Sequence, residues 1–201
     1  MSADANIKPA NDGLPDAAAG VMAVVVGPSG AGKDTLMNLA ARHFAGRPDI
    51  HFVRRVITRD GDAGNEDHRS VSDADFDAME KAGAFAVSWE AHGLKYGIPA
   101  DVFDELARGN LVIANGSRSA LHHFQAAFPR LKIINITATR EVLAERLIAR
   151  GRESREDVLK RLERSALTVQ GSYDVTDIDN SGTLEEAEQA IISALETLIR
   201  K

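Results

Sequence analysis

The stretch Gly27-Pro28-Ser29-Gly30-Ala31-Gly32-Lys33-Asp34-Thr35 is the most informative part of this chain. It matches the pattern G-x-x-x-x-G-K, in which backbone N–H groups of a glycine-rich loop surround the phosphates of a nucleotide. The pattern requires a strand before the loop and a helix after it. The apolar run 21–26 and the helical pattern 35–44 meet that requirement. The sequence therefore predicts a phosphate-binding loop between a buried strand and a helix.

The residue types of this loop predict its ligand. Lys33 places an ammonium group at the β- and γ-phosphates, and the following helix directs its positive N-terminus at the same oxygens. The residue after this lysine is usually Ser or Thr, which binds Mg²⁺, but here it is Asp34. A carboxylate is a charged ligand that binds the metal directly or through water. We predict a bound nucleoside triphosphate, with Mg²⁺ on Asp34 and with contacts from all of Gly27, Pro28, Ser29, Gly30, Ala31, Gly32, Lys33, Asp34 and Thr35.

Strand and helix patterns alternate over the rest of the chain. Further strand-like runs, separated by helical segments, lie at 51–57, 110–115, 132–137 and 173–178. This order predicts an α/β fold of the P-loop NTPase type over 21–201, with a parallel sheet flanked by helices. Residues 1–20 are rich in Ala, Asp, Gly and Pro without periodicity, so we expect a disordered extension there. The translation start is open between Met1 and Met22.

Composition excludes several classes of function. The net charge of −6 argues against a nucleic-acid partner, which would require a basic face. The chain has no cysteine, so it forms no disulfide and has no thiolate metal site. No apolar run approaches the roughly 20 residues of a membrane span, and the N-terminus lacks the order of a signal peptide. We therefore expect a cytoplasmic protein with a small-molecule substrate and no membrane partner.

A second group of polar residues follows the strand at 51–57. Arg59 comes directly after that strand, where ligands concentrate in α/β sheets, and its guanidinium is suited to a phosphate. Farther on, His92, Lys95 and Tyr96 bring an imidazole, an ammonium and a phenol together. The alternatives are a surface salt bridge of Arg59 with a nearby aspartate, an exposed loop histidine and a solvated lysine. Tyr96, between glycines, is harder to explain by packing.

A third group is rich in arginine. Arg146, Arg150 and Arg152 lie around Gly151, and further arginines, Arg161 among them, follow on the next helical segment. Such a hinge, over about 150–165, is able to close on a triphosphate as a lid, neutralise the transferring phosphoryl group and exclude water. The alternative is a solvated helix whose arginines are balanced by neighbouring glutamates.

The segment from Asp177 to Glu188 also matches the pattern of a calcium-binding loop. A calcium loop of this kind follows a helix, whereas the residues before Asp177 are typical of a strand. Thr183 and Glu186 form the pattern of a capping box, which explains the same residues as the start of the last helix. We therefore favour a strand, a turn and a helix cap over a calcium site.

At these residues the chain resembles the guanylate-kinase-like branch of the P-loop kinases, over nearly all of 21–201. Within that branch it is most similar to the kinases of ribose 1,5-bisphosphate, which act in phosphonate breakdown. The resemblance depends on five motifs: Gly27–Asp34, Ile57-Thr58-Arg59-Asp60, Ser88-Trp89 with His92-Gly93-Leu94 and Tyr96-Gly97, Asn115-Gly116-Ser117-Arg118, and Arg150-Gly151-Arg152-Glu153.

The chain also departs from guanylate kinases in the acceptor site. Those enzymes hold the acceptor phosphate with two arginines and two tyrosines. Here Arg59 and Tyr96 match one of each, the second arginine is absent, and His68 stands in place of the other tyrosine. The glutamate that reads guanine falls on Val87 or Ser88. A site that reads a base loses its discrimination without such groups, so we do not expect GMP as the acceptor.

The resemblance implies an ATP- and Mg²⁺-dependent kinase that converts ribose 1,5-bisphosphate to 5-phosphoribosyl 1-diphosphate, as a monomer or homodimer. A nucleoside monophosphate kinase is the nearest alternative, and a catalytically silent binding module is the next. The catalytic residues implied are Lys33, Arg146, Arg150 and Arg152. Asn180 is expected near the adenine. A small acceptor-binding insertion is expected over about 58–98. The acceptor would be bound by Arg59, His68, His92, Lys95, Tyr96, Ser117, Arg118 and Arg161.

Overall fold

The computed structural model describes residues 20–59, 67–149, 151, 156, 158, 162, 169 and 171–199. The strands are β1 (Val21–Val26), β2 (Ile50–Phe52), β3 (Val56–Ile57), β4 (Arg69–Ser70), β5 (Phe85–Ala91), β6 (Leu94–Pro99), β7 (Leu111–Asn115), β8 (Leu131–Thr137) and β9 (Val175–Asp179). The α-helices are α1 (Lys33–His43), α2 (Asp73–Lys81), α3 (Val102–Ala107), α4 (Leu121–Ala127), α5 (Arg140–Ala149) and α6 (Leu184–Ile199). A 3₁₀ turn, Arg118–Ala120, precedes α4.

The chain forms two compact units, and the boundary between them crosses β1. The first unit comprises residues 20–24 and Gly46–Leu131. The second comprises Val25–Ala45 and the described residues from Lys132 onward.

The second unit holds the phosphate loop, Gly27–Thr35. The loop connects β1, whose residues are all buried, to α1. Strand β8 lies between β1 and β9 and pairs with β9 in parallel. Helix α1 contacts α6, and both Leu36 and Leu195 are fully buried. The predicted strand, loop and helix are therefore confirmed. They could be predicted because the apolar run and the glycines specify them locally.

The first unit contains a parallel pair and a separate, mostly antiparallel sheet. Strand β7 lies between β2 and β1, and β2 pairs with β7 in parallel. The separate sheet has the order β4-β3-β6-β5, with β6 antiparallel to both of its neighbours. Helix α2 packs on this sheet through a cluster that includes Val56, Phe76 and Phe85, and the rings of Phe76 and Phe85 are 4.6 Å apart. The sequence analysis predicted the parallel strands and missed the antiparallel sheet.

The prediction of one strand over 51–57 is wrong. The chain leaves β2 at Phe52, and the N–H of Val53 still donates to the carbonyl of Ile113 at 2.8 Å. Strand β7 ends two residues later, at Asn115, so the chain has no further parallel partner there. It then enters β3, which pairs with β6 in the other sheet. One strand-like run of the sequence therefore supplies strands to two sheets.

A two-residue hairpin joins β5 to β6. The register of the strands leaves His92 and Gly93 in the turn, with φ values of 53° and 73°. Positive φ at both positions is the geometry that matches the twist of paired strands. The sequence carried a signal for β6 in the alternation of Leu94, Tyr96 and Ile98 after this glycine.

Candidate active site

The shape of the phosphate loop depends on glycines at positions where another residue would be strained by the backbone angle and would have no space for its side chain. Gly32, which directly precedes α1, has a φ of 90°, and a Cβ atom there would lie 2.5 Å from Nδ2 of Asn180. Gly27 has a φ of 149°, and a Cβ atom there would lie 2.2 Å from the carbonyl oxygen of Ile136. Side chains are thereby excluded, and the loop backbone remains accessible to a polyphosphate.

Lys33 is the first residue of α1 and is half-buried. Its ammonium group donates to the carbonyl oxygens of Gly27 at 3.0 Å and of Pro28 at 3.3 Å. The side chain therefore turns back over the loop that the glycines shape. This places a positive charge at the N-terminus of α1, where the helix dipole also favours an anion.

Two buried polar atoms beside the loop indicate a ligand. Nη1 of Arg146, on α5, and Oδ1 of Asn180 are buried and have no hydrogen-bond partner among the described residues. Both side chains lie near Gly32, where a Cβ atom would be 3.9 Å from Nη1 of Arg146. Buried donors and acceptors without partners are costly, and a bound ligand is one way to satisfy them. An unsatisfied cationic donor is suited to a phosphate oxygen, so the residues present fit a bound nucleotide.

Asn180 is held in place by its remaining polar atoms. Its Nδ2 donates to the carbonyl oxygen of Ala31 at 2.7 Å, and its backbone N–H donates to Thr137 at 2.8 Å. The residue follows β9 directly, so the end of the strand delivers a side chain to the loop from far along the sequence. Its free carbonyl oxygen can accept a hydrogen bond from a nucleotide.

Asp34 lies in the first turn of α1 and is half-buried. In the part of the chain that the structure describes, no group of three or more His, Cys, Asp or Glu side chains is arranged to hold a metal. Mg²⁺ in kinases is typically bound by one or two carboxylates together with substrate phosphates. A single carboxylate at this position therefore fits the ion, and its role as a ligand stays a prediction.

Six of the residues predicted to bind the acceptor lie in the first unit on four segments that we call the acceptor segments: 55–59, 67–70, 94–97 and 115–118. His92 lies in the first unit outside these segments. The backbone of Thr58 joins two of them, because its N–H donates to the carbonyl of Lys95 at 3.1 Å. Its hydroxyl also accepts from the N–H of Lys95 at 2.9 Å. The half-buried Arg59 therefore follows a residue that is bonded to the segment of Lys95 and Tyr96.

Lys95 forms an ion pair with Asp77 of α2. The hydrogen bond to Asp77 raises the pKa of Lys95 above its ordinary value, against a smaller, opposite effect of burial. The sequence analysis considered a solvated lysine or a substrate contact and did not anticipate this carboxylate. An acceptor phosphate would have to share or replace Asp77 as the partner of Lys95.

Tyr96 and His68 are both buried. The ring of Tyr96 stacks on that of Trp89, with 5.2 Å between the ring centres and 7° between the planes. Nε2 of His68 lies 3.2 Å from the hydroxyl oxygen of Ser70. His92, by contrast, is exposed in the hairpin turn. The structure thus places His68 and Tyr96 in packed surroundings and His92 outside them.

Ser117 and Arg118 follow β7 directly. The hydroxyl of Ser117 caps the 3₁₀ turn by accepting from the N–H of Ser119 at 3.3 Å. Arg118 is half-buried, and burial lowers its pKa from the ordinary value. Their position at the carboxyl end of a parallel strand is the usual place for ligand-binding residues in α/β sheets.

Some predictions fall where the structure gives no description. Arg150, Arg152 and Arg161 lie outside the described residues, as does most of the predicted lid over 150–165 and the extension over 1–19. Within the lid, Val158 and Leu162 are described and buried.

The calcium alternative for 177–188 does not fit the structure. A strand, β9, precedes the segment instead of a helix. The N–H of Glu186 donates to the hydroxyl of Thr183 at 3.2 Å, and the Glu186 carboxylate accepts from the N–H of Thr183 at 3.0 Å. These bonds confirm the predicted capping box, which lowers the pKa of Glu186.

The comparison with solved structures defines the class of protein. The chain superposes on a guanylate kinase from Anaplasma phagocytophilum with a TM-score of 0.63, covering 92% of this chain and 88% of that one at 19% identity. At such low identity the likeness shows the fold alone. Together with the phosphate loop, it defines the guanylate-kinase-like P-loop fold as the class to which this chain belongs.

Curated relatives define the family. The chain is 69% identical to ribose 1,5-bisphosphate phosphokinase PhnN of Rhizobium etli, over 90% of this chain and 91% of the relative. It is 62% identical to the protein of the same name from Agrobacterium fabrum, over 87% and 96% of the two chains. No family model matches the sequence. This chain belongs to the family of ribose 1,5-bisphosphate phosphokinases. Among its described helices, none has the length and apolar character needed to cross a membrane.

Proposed function

We propose that this kinase transfers the γ-phosphoryl group of ATP to the 1-phosphate of ribose 1,5-bisphosphate and releases ADP and 5-phosphoribosyl 1-diphosphate. The observation that carries the proposal is the 69% identity to a relative of that name over nine-tenths of both chains. The place of this reaction in phosphonate catabolism follows from the same resemblance.

The reaction requires the protein mainly to position the two substrates and to neutralise their negative charge. An oxygen of the 1-phosphate attacks the γ-phosphorus, the bond from that phosphorus to the β–γ bridging oxygen breaks, and ADP leaves with the bridging oxygen. The attacking phosphate is already ionised at neutral pH, so no strong general base is required. Charge neutralisation then supplies most of the catalysis.

The second unit supplies the groups for the donor. In this proposal the ammonium of Lys33 exchanges its carbonyl contacts for phosphate oxygens, and Nη1 of Arg146 gains the partner that it lacks among the described residues. The Oδ1 of Asn180 is suited to a hydrogen-bond donor on the base, such as the amino group of adenine. Mg²⁺, held by Asp34 and the phosphates, would add positive charge at the β- and γ-oxygens.

The first unit supplies the groups for the acceptor. Arg59, Tyr96 and Arg118 offer hydrogen-bond donors to a sugar bisphosphate. The guanine-reading glutamate falls on Val87 or Ser88, both of which are buried, and the hydroxyl of Ser88 donates to Glu80 at 2.5 Å. That hydroxyl already has a partner, which argues against a base-reading role. The lid arginines, a monomeric or homodimeric state and a cytoplasmic location remain predictions within this proposal.

An acceptor comparison tests the proposal. Purified protein with ATP and MgCl₂ is offered ribose 1,5-bisphosphate or GMP at equal concentration, and the products are identified by phosphorus NMR. We expect 5-phosphoribosyl 1-diphosphate and ADP from the sugar and at most trace product from GMP. A larger kcat/KM for GMP would refute the proposed acceptor. Replacing ATP by GTP tests the donor in the same assay.

A further inference from the structure

Trp89 is a buried aromatic residue of β5 that the proposed mechanism does not use, and 7% of its surface is exposed. It lies directly opposite Tyr96 of β6 in the antiparallel pair, and the two rings stack with their planes 7° apart. Stacked aromatic rings attract each other and cover part of each other's faces. The indole therefore covers a face of Tyr96, which is a predicted acceptor residue.

The two faces of this sheet carry different side chains. On the face that α2 covers, the hydroxyl of Ser88 donates to Glu80 of that helix. Side chains alternate along a strand, so the neighbouring Val87 and Trp89 lie on the opposite face, with Tyr96. Val87 is buried and apolar. Beside Tyr96 the strand β5 therefore presents an aliphatic group and an indole, and its polar hydroxyl is directed to α2.

The indole is held in place by further neighbours. Phe124 of α4 lies against it, with 5.7 Å between the ring centres, and the guanidinium carbon of the buried Arg55 is 6.0 Å from the indole. The same guanidinium carbon is 5.0 Å from the ring centre of Tyr96, and Nη1 of Arg55 donates to the carbonyl oxygen of Asn115 at 3.1 Å. A side chain packed against three others in this way leaves its place only by losing these contacts.

A nucleoside monophosphate and a sugar bisphosphate differ in the surface that they need beside Tyr96. A base binds by stacking on an aromatic face or by hydrogen bonds along its edge. The indole occupies the face of Tyr96 on which a base would stack, and the aliphatic Val87 offers its edge no hydrogen bond. An acceptor without a base needs neither contact.

We infer that Trp89 is a specificity-determining residue of the acceptor site, because its indole excludes the base of a nucleoside monophosphate and so selects an acceptor without a base. The inference rests on the proposed function, since it assumes that Tyr96 lies in the site that binds ribose 1,5-bisphosphate.

Competition by GMP measures the exclusion without requiring that GMP be phosphorylated. With saturating ATP and MgCl₂, the inhibition constants of GMP and of ribose 5-phosphate against ribose 1,5-bisphosphate are measured for the wild type, Trp89→Ala and Phe85→Ala. Ribose 5-phosphate is the control ligand, because it has no base. Phe85→Ala is the matched control variant, because it removes another buried ring of β5, one that stacks on Phe76 of α2. The thermal unfolding temperature of each protein is measured as well.

We expect the inhibition constant of GMP to fall by about 5- to 100-fold in Trp89→Ala, the range for stacking one base on an aromatic ring. The constant for ribose 5-phosphate, which has no base to stack, should change by less than about threefold. Phe85→Ala should lower the unfolding temperature, as Trp89→Ala does, and leave both constants as in the wild type. If Trp89→Ala does not fold, Trp89→Leu, which keeps more of the apolar volume, should lower the GMP constant by a smaller factor.

The wild type offers a second measurement, because Trp89 is the only tryptophan of the chain and its fluorescence reports on this position alone. We expect ribose 1,5-bisphosphate to change this emission in a saturable way. If the wild type phosphorylates the sugar but the emission does not respond, or if the substitution of Trp89 leaves the GMP constant unchanged, the inference is wrong and the function stands. An equal fall in both inhibition constants would also overturn it. If the wild type does not phosphorylate this sugar, the proposed function fails and the inference falls with it.

Discussion

The phosphate loop and the acceptor segments are built in opposite ways. The loop is one continuous stretch whose geometry comes from glycine backbone, and its surroundings add two side chains, Asn180 and Arg146. The acceptor segments are four separate pieces held together by side chains, with Arg55 contacting the other three. A site of the first kind depends on a few residues that cannot be exchanged. In a site of the second kind, the binding energy is distributed over many contacts.

The largest effect is expected at the loop. In the proposed mechanism the ammonium of Lys33 neutralises the transferring phosphoryl group, so Lys33→Ala should lower kcat by about 100- to 1,000-fold or more. The measurement is the steady-state rate with saturating ATP and ribose 1,5-bisphosphate. Arg42→Ala is the control, because Arg42 is an exposed cation on the same helix. A rate for Lys33→Ala within tenfold of the wild type would mean that Lys33 of the loop has no catalytic role.

A glycine exchange tests the claim that the loop depends on its backbone. In Gly32→Ala the new Cβ atom would lie 2.5 Å from Nδ2 of Asn180 at a φ of 90°, so the bond to Ala31 is disturbed as well. We expect a loss of about 2–4 kcal/mol in the free energy of unfolding, measured by urea titration, from backbone strain and a broken hydrogen bond.

The matched control is Gly93, in the hairpin turn just before the acceptor segment 94–97. Gly93 has a φ of 73°, but no atom lies within 4 Å of a Cβ atom built there. Gly93→Ala should therefore cost only the backbone term, about 1 kcal/mol. Equal losses for the two variants would show that the left-handed angle alone, and not the close approach of Asn180, constrains the loop.

The same contrast explains how much of the molecule could be predicted from the sequence. The loop, its strand and its helix are specified by neighbouring residues, so Gly32 and Lys33 were identified from the motif. Asn180 was expected only through the family resemblance, because nothing near it in the sequence indicates a contact with Ala31. The structure supplies that contact across 149 residues of chain.

The buried position of Arg55 was missed for a physical reason. In the sequence it stands inside the strand-like run 51–57, where nothing distinguishes it from the other residues of a predicted strand. Only the end of β7 at Asn115 shows why the run divides, since β3 then has to pair with β6. The break turns Arg55 into a buried tether between segments. Tertiary pairing of this kind leaves no local signal in one sequence.

An intermediate effect is expected at Arg146. Its buried Nη1 has no hydrogen-bond partner among the described residues, so Arg146→Met should not lower the thermal unfolding temperature. The same change should lower kcat/KM for ATP by about 10- to 100-fold, because a charged contact to a phosphate is lost. Arg140→Met, at an exposed position of the same helix, is the control. A drop in stability without a change for ATP would assign Arg146 to the fold instead of the donor site.

The smallest effect is expected at the ion pair of Lys95 and Asp77. Asp77→Asn frees Lys95, so the KM for ribose 1,5-bisphosphate should fall, by less than about fivefold. Because the pair raises the pKa of Lys95, its small stabilisation is complete below the ordinary value of 10.5 and disappears as the pH rises through the elevated value. Urea titrations at pH 7, 9 and 11 should therefore show a difference between wild type and Asp77→Asn that is constant at the first two and reduced at the third. Asp104→Asn, the same change at an exposed position of α3, should show no such pH dependence. A higher acceptor KM in Asp77→Asn would mean that Asp77 positions Lys95 for the sugar.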